Sequence, residues 1–371
     1  MRIPPFTLER YFAKHEFSAK YLLSSSDCES MTLPQLLEMA SPEMRAKWET
    51  LSFGYTESAG HPLLRAEAAK IYAGLDTENL LIAAPEEIIF LFMHALLQPG
   101  DHVIATFPGY QSLYEIARSV GCQVSTWEPV EAENWHFDLA RLAELIRPET
   151  KLVVANFPHN PTGFIPSQKE YADLIEMLRE KGIFLFSDEM YRFLEIESGA
   201  TLPSACEAYE RAFSLFGMSK TFGLPGLRIG WMATQNQPLL ARMLELKDYT
   251  TICSSAPSEI LSIIALQNKE AIIAKQNARL ARNMALLDAF IAKYAQFFRL
   301  NRPRGGSICF PRMLGEESTL DFANRLVEEA GVMMAPSHIF GYSDHHFRIG
   351  FGRENFGEVL GKFGDYLDSN H

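Results

Sequence analysis

The sequence has few cysteines and no long hydrophobic segment. Only 5 of its 371 residues are cysteine, and no two form a C-x-x-C pair, so we expect neither a disulfide framework nor a cysteine metal site. The longest apolar stretch, residues 88–97, is interrupted by His94 and is too short to cross a bilayer. The first ten residues lack the uninterrupted apolar region of a secretory signal. These absences predict a cytoplasmic protein with reduced cysteines.

Basic segments are also missing. Lysine and arginine total 34 against 46 aspartate and glutamate residues, and the formal net charge is -12 at pH 7. Such a charge repels nucleic acid and acidic membrane surfaces, so we expect neither as a partner. The histidines near the C-terminus, His338, His345 and His346, have no matching acidic cluster, and we expect no bound metal.

The sequence contains no internal repeat, low-complexity tract or Gly/Ser linker. With 47% apolar residues, the chain can bury a large core and form more than one lobe. From about residue 46 to 250, strand-like runs alternate with helical patterns, which is typical of a mainly parallel sheet covered by helices. The predicted parts are 1–45, an N-terminal arm and part of a small domain, 46–255, a large domain, and 256–371, an interdomain helix and the rest of the small domain.

Individual elements are predicted from the spacing of apolar residues. The predicted strands are 20–24, 102–106, 151–155, 183–186 and 212–216, with further strands starting at Gly305 and around Arg348. The predicted helices are 86–98, 110–120, 168–181, 258–294 with breaks, and 319–330.

The most informative motif is Ser219-Lys220-Thr221 with the glycine-rich turn that follows it. It comes directly after the predicted buried strand 212–216, where a partly desolvated ammonium loses its proton more easily and can attack a carbonyl. Eight positions later, Arg228 offers a guanidinium suited to a phosphate. Together these residues predict an aldehyde cofactor that carries a phosphate. Taken alone, the motif is also compatible with a surface lysine in a flexible turn.

Two other predicted strands end in polar motifs. Strand 151–155 is followed by Asn160 within N-P-T-G, and strand 183–186 is followed by Asp188 and Tyr191. Ligands of open α/β sheets bind at the carboxyl ends of strands, so we expect these side chains to converge. Asp188 would keep a heterocyclic nitrogen protonated, and the other two would hydrogen-bond a ring oxygen. Each motif alone also has a purely structural explanation: N-P-T-G forms a good turn, and an aspartate at the end of a strand is often a helix cap.

This ordered set of residues resembles the class I and II aminotransferases, which are fold-type I pyridoxal-phosphate (PLP) enzymes. The resemblance extends from about Tyr55 to Arg348. It implies a large domain with a mainly parallel seven-stranded sheet, a smaller α/β domain and a PLP cofactor. It also implies catalytic roles for Lys220, which would form the internal aldimine and move a proton, and for Asp188 and Tyr191.

The resemblance implies further contacts. Cofactor contacts are implied for Asn160 at the ring oxygen, Tyr110 stacked on the ring, Arg228 at the phosphate, and Tyr55 at the phosphate of the neighbouring subunit of a homodimer. Arg348 would hold the substrate carboxylate, with Asn160 beside it. Two departures from the family pattern affect the phosphate site. Pro85 has no N–H, so the phosphate would be bound by the amide of Glu86 instead. Gly217 replaces a residue that often contributes a hydroxyl, and the hydroxyl of Ser219 would compensate.

Three functions remain open. The first is an aminotransferase that exchanges amino groups between an L-amino acid and a 2-oxo acid. The second is another PLP reaction on an amino acid, by a lyase, a cyclase or an arginine-type oxidase, because the same scaffold serves several reactions. The third is a non-catalytic regulator, although such proteins carry a basic DNA-binding domain and fewer than 60 residues precede Tyr55.

The substrate side chain is addressed by one hypothesis. Asp27 and Glu29 lie in an N-terminal turn that borders the substrate pocket in the resembled family. Their carboxylates would select a cationic amino acid, whereas the alternative is a solvated polar turn.

Overall fold

The computed structural model describes residues 3–197 and 199–370. Within these ranges the strands are β1 Tyr21–Leu22, β2 Leu80–Ala83, β3 His102–Thr106, β4 Gln123–Trp127, β5 Thr150–Asn156, β6 Phe184–Asp188, β7 Ala212–Gly217, β8 Gly230–Thr234, β9 Phe298–Arg299, β10 Ile308–Cys309, β11 Arg312–Met313, β12 Val332–Met333, β13 Ala335–Pro336 and β14 Phe347–Gly350. The α-helices are α1 Thr7–His15, α2 Leu33–Glu38, α3 Pro42–Glu49, α4 Pro62–Ala69, α5 Pro85–Leu96, α6 Ser112–Val120, α7 Leu139–Leu145, α8 Gln168–Lys181, α9 Ala205–Ala208, α10 Gln237–Lys247, α11 Ala256–Gln267, α12 Lys269–Lys293, α13 Thr319–Ala330 and α14 Phe356–Asn370.

A seven-stranded sheet with the order β2-β8-β7-β6-β5-β3-β4 forms the centre of the fold. Pairing is parallel from β4 through β3, β5 and β6 to β7. Strand β8 runs antiparallel to both of its neighbours, β7 and β2. The predicted α/β fold with a mainly parallel seven-stranded sheet is therefore confirmed.

Helices cover both faces of this sheet, which explains why its central strands are apolar almost throughout. All six residues of β7 are buried. On one face, the ring of Phe92 in α5 lies 4.9 Å from that of Phe186 and 4.8 Å from that of Phe213. On the other face, Leu174 and Leu178 of α8 share a buried cluster with Leu185. The strands are thus held firmly, and so are the residues at their ends.

A second group of elements combines the two ends of the chain. Strands β10, β14 and β13 form a small sheet, and α12, α13 and α14 share one buried cluster around it. Strand β1 pairs in parallel with β12, with Tyr21 opposite Val332. The N-terminal segment therefore packs with the C-terminal part of the chain, while the domain boundaries at residues 45 and 255 stay a prediction.

Several predicted elements coincide with observed ones. Strand β3 and helices α8 and α13 have the predicted bounds. Helix α8 has a capping box between Ser167 and Glu170, and ends at Gly182 with φ 65°, both of which are strong local signals. The predicted helical stretch 258–294 is two helices that are separated at Asn268, so the expected break is confirmed.

None of the helices in the described ranges is long and apolar enough to cross a membrane. The five cysteines are free thiols, and four of them are buried. Across residues 3–197 and 199–370, no three His, Cys, Asp or Glu side chains are grouped so that they could hold a metal ion.

Candidate active site

A cavity of about 620 Å³ lies at the carboxyl ends of β5, β6 and β7, the place where open α/β sheets bind ligands. Ten of the eleven predicted site residues line it: Asp27, Glu86, Tyr110, Asn160, Asp188, Tyr191, Ser219, Lys220, Arg228 and Arg348. The convergence expected from the three strand-end motifs therefore occurs, although it does not by itself test the role of each residue.

Lys220 follows β7, and its side chain is half-buried. Its Nζ donates a hydrogen bond to the hydroxyl of Ser26 at 2.8 Å. Burial lowers the pKa of Lys220, and the charge of Asp27 opposes this effect, because an ammonium ion loses hydration inside a protein. The amine is thus more readily deprotonated than an exposed lysine.

Asp188 is the last residue of β6 and is buried. Its carboxylate accepts the backbone N–H of Met190 at 3.1 Å. Burial raises the pKa of Asp188 to about 7, while the Met190 amide and the charge of Lys220 act in the opposite direction. A nearby cation would favour the ionised carboxylate.

Tyr191 and Asn160 complete this side of the cavity. The Tyr191 hydroxyl is buried and lies next to the Ser26 hydroxyl, but it donates no hydrogen bond within the described ranges. The backbone N–H of Asn160 donates to Oδ1 of Asn156 at 2.7 Å, and Nδ2 of Asn156 donates to the carbonyl of Asp188 at 3.0 Å. These bonds tie the ends of β5 and β6 together and fix the position of Asn160.

Arg348 lies in β14 and its guanidinium is buried. One terminal nitrogen donates to Oδ1 of Asn160 at 3.2 Å, and the other donates to the carbonyl of Ser24 at 3.0 Å. Its Nε has no hydrogen-bond partner in the part of the chain that the structure describes. The rings of Phe340 and Phe12 lie 5.3 and 5.8 Å from its Cζ atom. An arginine in these surroundings is suited to binding an anion such as a carboxylate.

Glu86 lies in the first turn of α5, and Tyr110 lies two residues before α6. Pro85 is the first residue of α5, and Ala84 before it makes no side-chain cap. The Ser112 hydroxyl donates to Glu86 at 3.2 Å, and the Tyr110 hydroxyl donates to Glu9 at 3.3 Å. Burial raises the pKa of Glu86 to about 7. Free amides in the first turn of a helix attract anions, and the exposed Arg228 lines the same cavity.

Gly217 has a packing reason to be glycine. A Cβ atom at this position would lie 2.7 Å from Cα of Gly230 and 2.9 Å from the carbonyl of Ile229. The close approach of β7 and β8 therefore leaves no space for the hydroxyl side chain that is common at this position of the resembled family. Ser219 lines the cavity nearby.

Tyr55 is the one predicted site residue that does not line the cavity of its own chain. Its side chain is 89% exposed, and Phe53 and Tyr249 are 88% and 90% exposed. The loops that hold them are joined by a hydrogen bond of 3.3 Å from the Thr56 hydroxyl to the carbonyl of Ser254.

Several lining residues were not predicted from the sequence. They are Leu8, Glu9, Phe12, Glu16 and Phe17 in and after α1, Ser25 and Ser26 after β1, and Arg353 after β14. The four-residue spacing of Leu8 and Phe12 is a signal for an amphipathic helix. No local signal indicates that this helix lies over the cavity, because its position depends on contacts with the far end of the chain.

Comparison with known proteins gives matches over almost the whole chain. The sequence pattern described as "Aminotransferase class I and II" matches residues 19–360. Capreomycidine synthase from Streptomyces vinaceus is 29% identical, over 94% of this chain and 90% of its own length. A PLP-dependent aminotransferase from Streptococcus suis has a TM-score of 0.93 and 31% identity, covering 100% of this chain and 99% of that one. The PLP-dependent cyclase OrfR has a TM-score of 0.89 and 26% identity with the same coverage.

Proposed function

This chain belongs to the class I and II aminotransferases and is a PLP-dependent enzyme, and from that premise we propose that it moves an amino group between an L-amino acid and a 2-oxo acid. The observation that carries the proposal is the arrangement of Lys220, Asp188 and Arg348 around one cavity. They provide an amine nucleophile, a strand-end acid and a carboxylate-binding guanidinium, which are the groups that this exchange needs.

The residues present fit PLP. The buried Tyr191 hydroxyl donates no hydrogen bond within the described ranges, so it has a free donor for a ring oxygen. Lys220 would hold the aldehyde carbon covalently, and Asp188 would hold the ring nitrogen. Asn160 and Tyr110 would contact the ring. Arg228, Ser219 and the amide of Glu86 would hold the phosphate, as anions bind at helix N-termini.

The residues of the cavity divide the chemistry between them. When bound, PLP supplies an electron sink for negative charge on the substrate Cα. Asp188 would keep a proton on the ring nitrogen, since an ionised carboxylate stabilises a neighbouring cation. Lys220 Nζ would take the proton from the substrate Cα and deliver it to the carbon of the cofactor aldehyde. The lowered pKa of Lys220 supports this role.

Arg348 would orient the substrate by its α-carboxylate. A guanidinium offers donors in a planar fork that matches a carboxylate. The bond from Arg348 to Asn160 Oδ1 would place Asn160 beside the same carboxylate.

We also propose a homodimer with shared active sites. Tyr55 is exposed and lies outside its own cavity, so contact with the cofactor phosphate requires a second copy. Exposed aromatic side chains such as Phe53 and Tyr249 are typical of a surface that a partner covers.

The shared site is tested by mixing two inactive variants, Lys220→Ala and Tyr55→Ala, after mild denaturation and refolding. In a mixed dimer, one site holds both changes and the other holds neither. Random association should restore about a quarter of the wild-type activity, since half of the dimers are mixed and each has one intact site. A fully active monomer in sedimentation would contradict the proposal.

Another PLP reaction is the second candidate. It is favoured by the similarity over the whole chain to a protein named as a PLP-dependent cyclase and by the 29% identity to capreomycidine synthase. Scaffold and lysine are common to both candidates, so the fold does not discriminate between them.

The two candidates are separated by following nitrogen. The holoenzyme is incubated with amino acids labelled with nitrogen-15 and with an unlabelled 2-oxo acid, and products are identified by mass spectrometry. An aminotransferase transfers the label to the second carbon skeleton. Consumption of the amino acid without any transfer would reject amino-group exchange and support cyclisation or elimination.

A further inference from the structure

Helix α1 and the residue that follows it bring two carboxylates into the cavity. Glu9 and Glu16 both line it and both are half-buried. Glu9 accepts the Tyr110 hydroxyl at 3.3 Å. Within residues 3–197 and 199–370, neither carboxylate forms a salt bridge with an arginine, lysine or histidine. The cavity therefore contains negative charge that the described side chains leave unpaired.

The acids of the N-terminal turn are in a different situation. Both carboxylate oxygens of Asp27 accept from the same nitrogen of Arg353, at 3.1 and 2.9 Å. Another nitrogen of Arg353 lies 3.9 Å from Glu29, whose carboxylate also accepts the backbone N–H of Glu354 at 2.7 Å. The charges of this turn are thus compensated within the chain. Glu29 does not line the cavity.

The carboxylate of Glu16 is stabilised less by nearby cations than it is destabilised by burial and by nearby acids. Burial raises the pKa of Glu16, and the negative charges of Asp27 and Glu9 add to this effect. Arg353 and Lys220 act in the opposite direction without overcoming it. A carboxylate that is partly removed from water is costly unless a cation or a donor pairs with it.

The same cavity holds an anion-binding group. Arg348 is buried, its Nε has no hydrogen-bond partner in the described ranges, and it faces the ring of Phe12 on α1. A ligand that satisfies both groups has a carboxylate for Arg348 and a positive charge for the acids of α1. A ligand with two carboxylates would place its second one near Glu9 and Glu16, which is unfavourable.

We propose that Glu9 in α1 and Glu16, the residue that follows α1, select an amino acid whose side chain ends in a guanidinium or ammonium group. The proposal rests on the proposed function for the amino acid itself and for the role of Arg348. It names the substrate class. It also assigns the selection of the cation to Glu9 and Glu16, whereas the sequence-based hypothesis assigned it to Asp27 and Glu29.

The test measures binding without chemistry. Delta-guanidinovalerate and epsilon-aminocaproate are arginine and lysine without the α-amino group, so neither has the α-amine that the proposed exchange uses. Their dissociation constants for the holoenzyme are compared by calorimetry with those of valerate, which lacks the cation, and glutarate, which carries a second carboxylate. We expect both cationic compounds to bind about tenfold or more tightly than valerate, and glutarate to bind most weakly.

Variants locate the charges. Glu16→Gln and Glu9→Gln should each remove most of the preference for the cationic compounds and leave the affinity for valerate unchanged. An unchanged valerate affinity also shows that α1 still covers the cavity. Glu29→Gln is the matched control, because it changes an equally charged residue near the cavity that does not line it, and it should have no effect.

The outcomes are distinct from those of the proposed function. Equal binding of valerate and delta-guanidinovalerate, tighter binding of glutarate, or a loss of preference in Glu29→Gln alone would overturn the assignment to α1. If the preference holds but no labelled nitrogen is exchanged with any amino acid, the proposed reaction fails and the selection by α1 stands.

Discussion

The two sides of the cavity are built in different ways. The strand-end side, with Asn160, Asp188 and Lys220, is anchored by the sheet ladder, where Asn156 pairs with Asp188 across β5 and β6. The α1 side, with Glu9, Phe12 and Glu16, is anchored by isolated contacts such as the bond of 3.0 Å from the Tyr11 hydroxyl to the carbonyl of Met334. A sheet held on both faces opens rarely, whereas an element with few bonds opens easily. The comparison suggests a rigid side for chemistry and an adaptable side for choosing the substrate.

The largest effect is expected from Lys220→Ala, which removes the reactive group of the strand-end side. Turnover should fall by about a thousandfold or more, because both the nucleophile and the proton carrier are lost. Borohydride reduction followed by intact-mass measurement should find no cofactor adduct. Lys169→Ala, at an exposed lysine of α8, should keep the adduct. A reducible adduct in the Lys220 variant would show that another residue anchors PLP.

A smaller loss is expected from Asp188→Asn. The cofactor should stay bound, since its other contacts are unchanged, but turnover should fall by about a hundredfold because the charge near the ring nitrogen is lost. The measurement is kcat together with the amount of PLP bound per chain. Near-normal turnover would mean that Asp188 does not control the ring nitrogen.

Glu86 predicts a dependence of stability on pH. Its pKa in the folded chain is about 7, above the ordinary value of 4.5. The folded state therefore binds the proton of Glu86 more tightly than the unfolded state does. Protonation of Glu86 stabilises the fold fully below the ordinary pKa of 4.5, and this stabilisation is lost as pH rises through about 7. Asp188 acts in the same direction.

Urea unfolding of the cofactor-free protein at about pH 4.5 and about pH 8 measures this effect. Glu86→Gln should remove at most about 3 kcal/mol of the stability lost between these conditions. Glu176→Gln, on the exposed surface of α8, should leave the difference unchanged. The same loss in Glu86→Gln and in the wild type would assign the pH dependence to other groups.

The smallest effect is expected on the α1 side. Tyr11→Phe removes the bond to Met334 and keeps the ring, at a cost of about 1 kcal/mol. Amide hydrogen exchange should become roughly fivefold faster in α1 and stay the same in β6. If exchange in β6 increases equally, the two sides open together and the comparison between them is wrong.

The strand-end side was accessible from the sequence because its signals are local. Lys220 directly follows a buried apolar run, Asp188 ends another, and Asn160 follows a third closely, so each motif predicted both a strand and its end. The fold was predictable for the same reason. The catalytic and cofactor-binding roles of these residues stay predictions.

The α1 side was not accessible because it depends on contacts between distant parts of the chain. Tyr11 and Met334 are separated by 323 positions, and Arg353 meets Asp27 across 326. Such contacts leave no periodic signal near Glu9 or Glu16. The pairing of Asp27 with Arg353 could not be predicted for this reason, since the partner lies near the other end of the chain, and the selection of a cationic substrate by Asp27 stays a prediction.

The pairing of β1 with β12 also has a consequence for the order in which the protein is made. Tyr21 pairs with Val332, and a ribosome that adds about 5 to 20 residues per second needs roughly 15 to 60 seconds to travel between them. All seven strands of the central sheet lie between residues 80 and 234. A growing chain therefore contains every strand of the central sheet, together with Lys220, before β12, the partner of β1, has been synthesised.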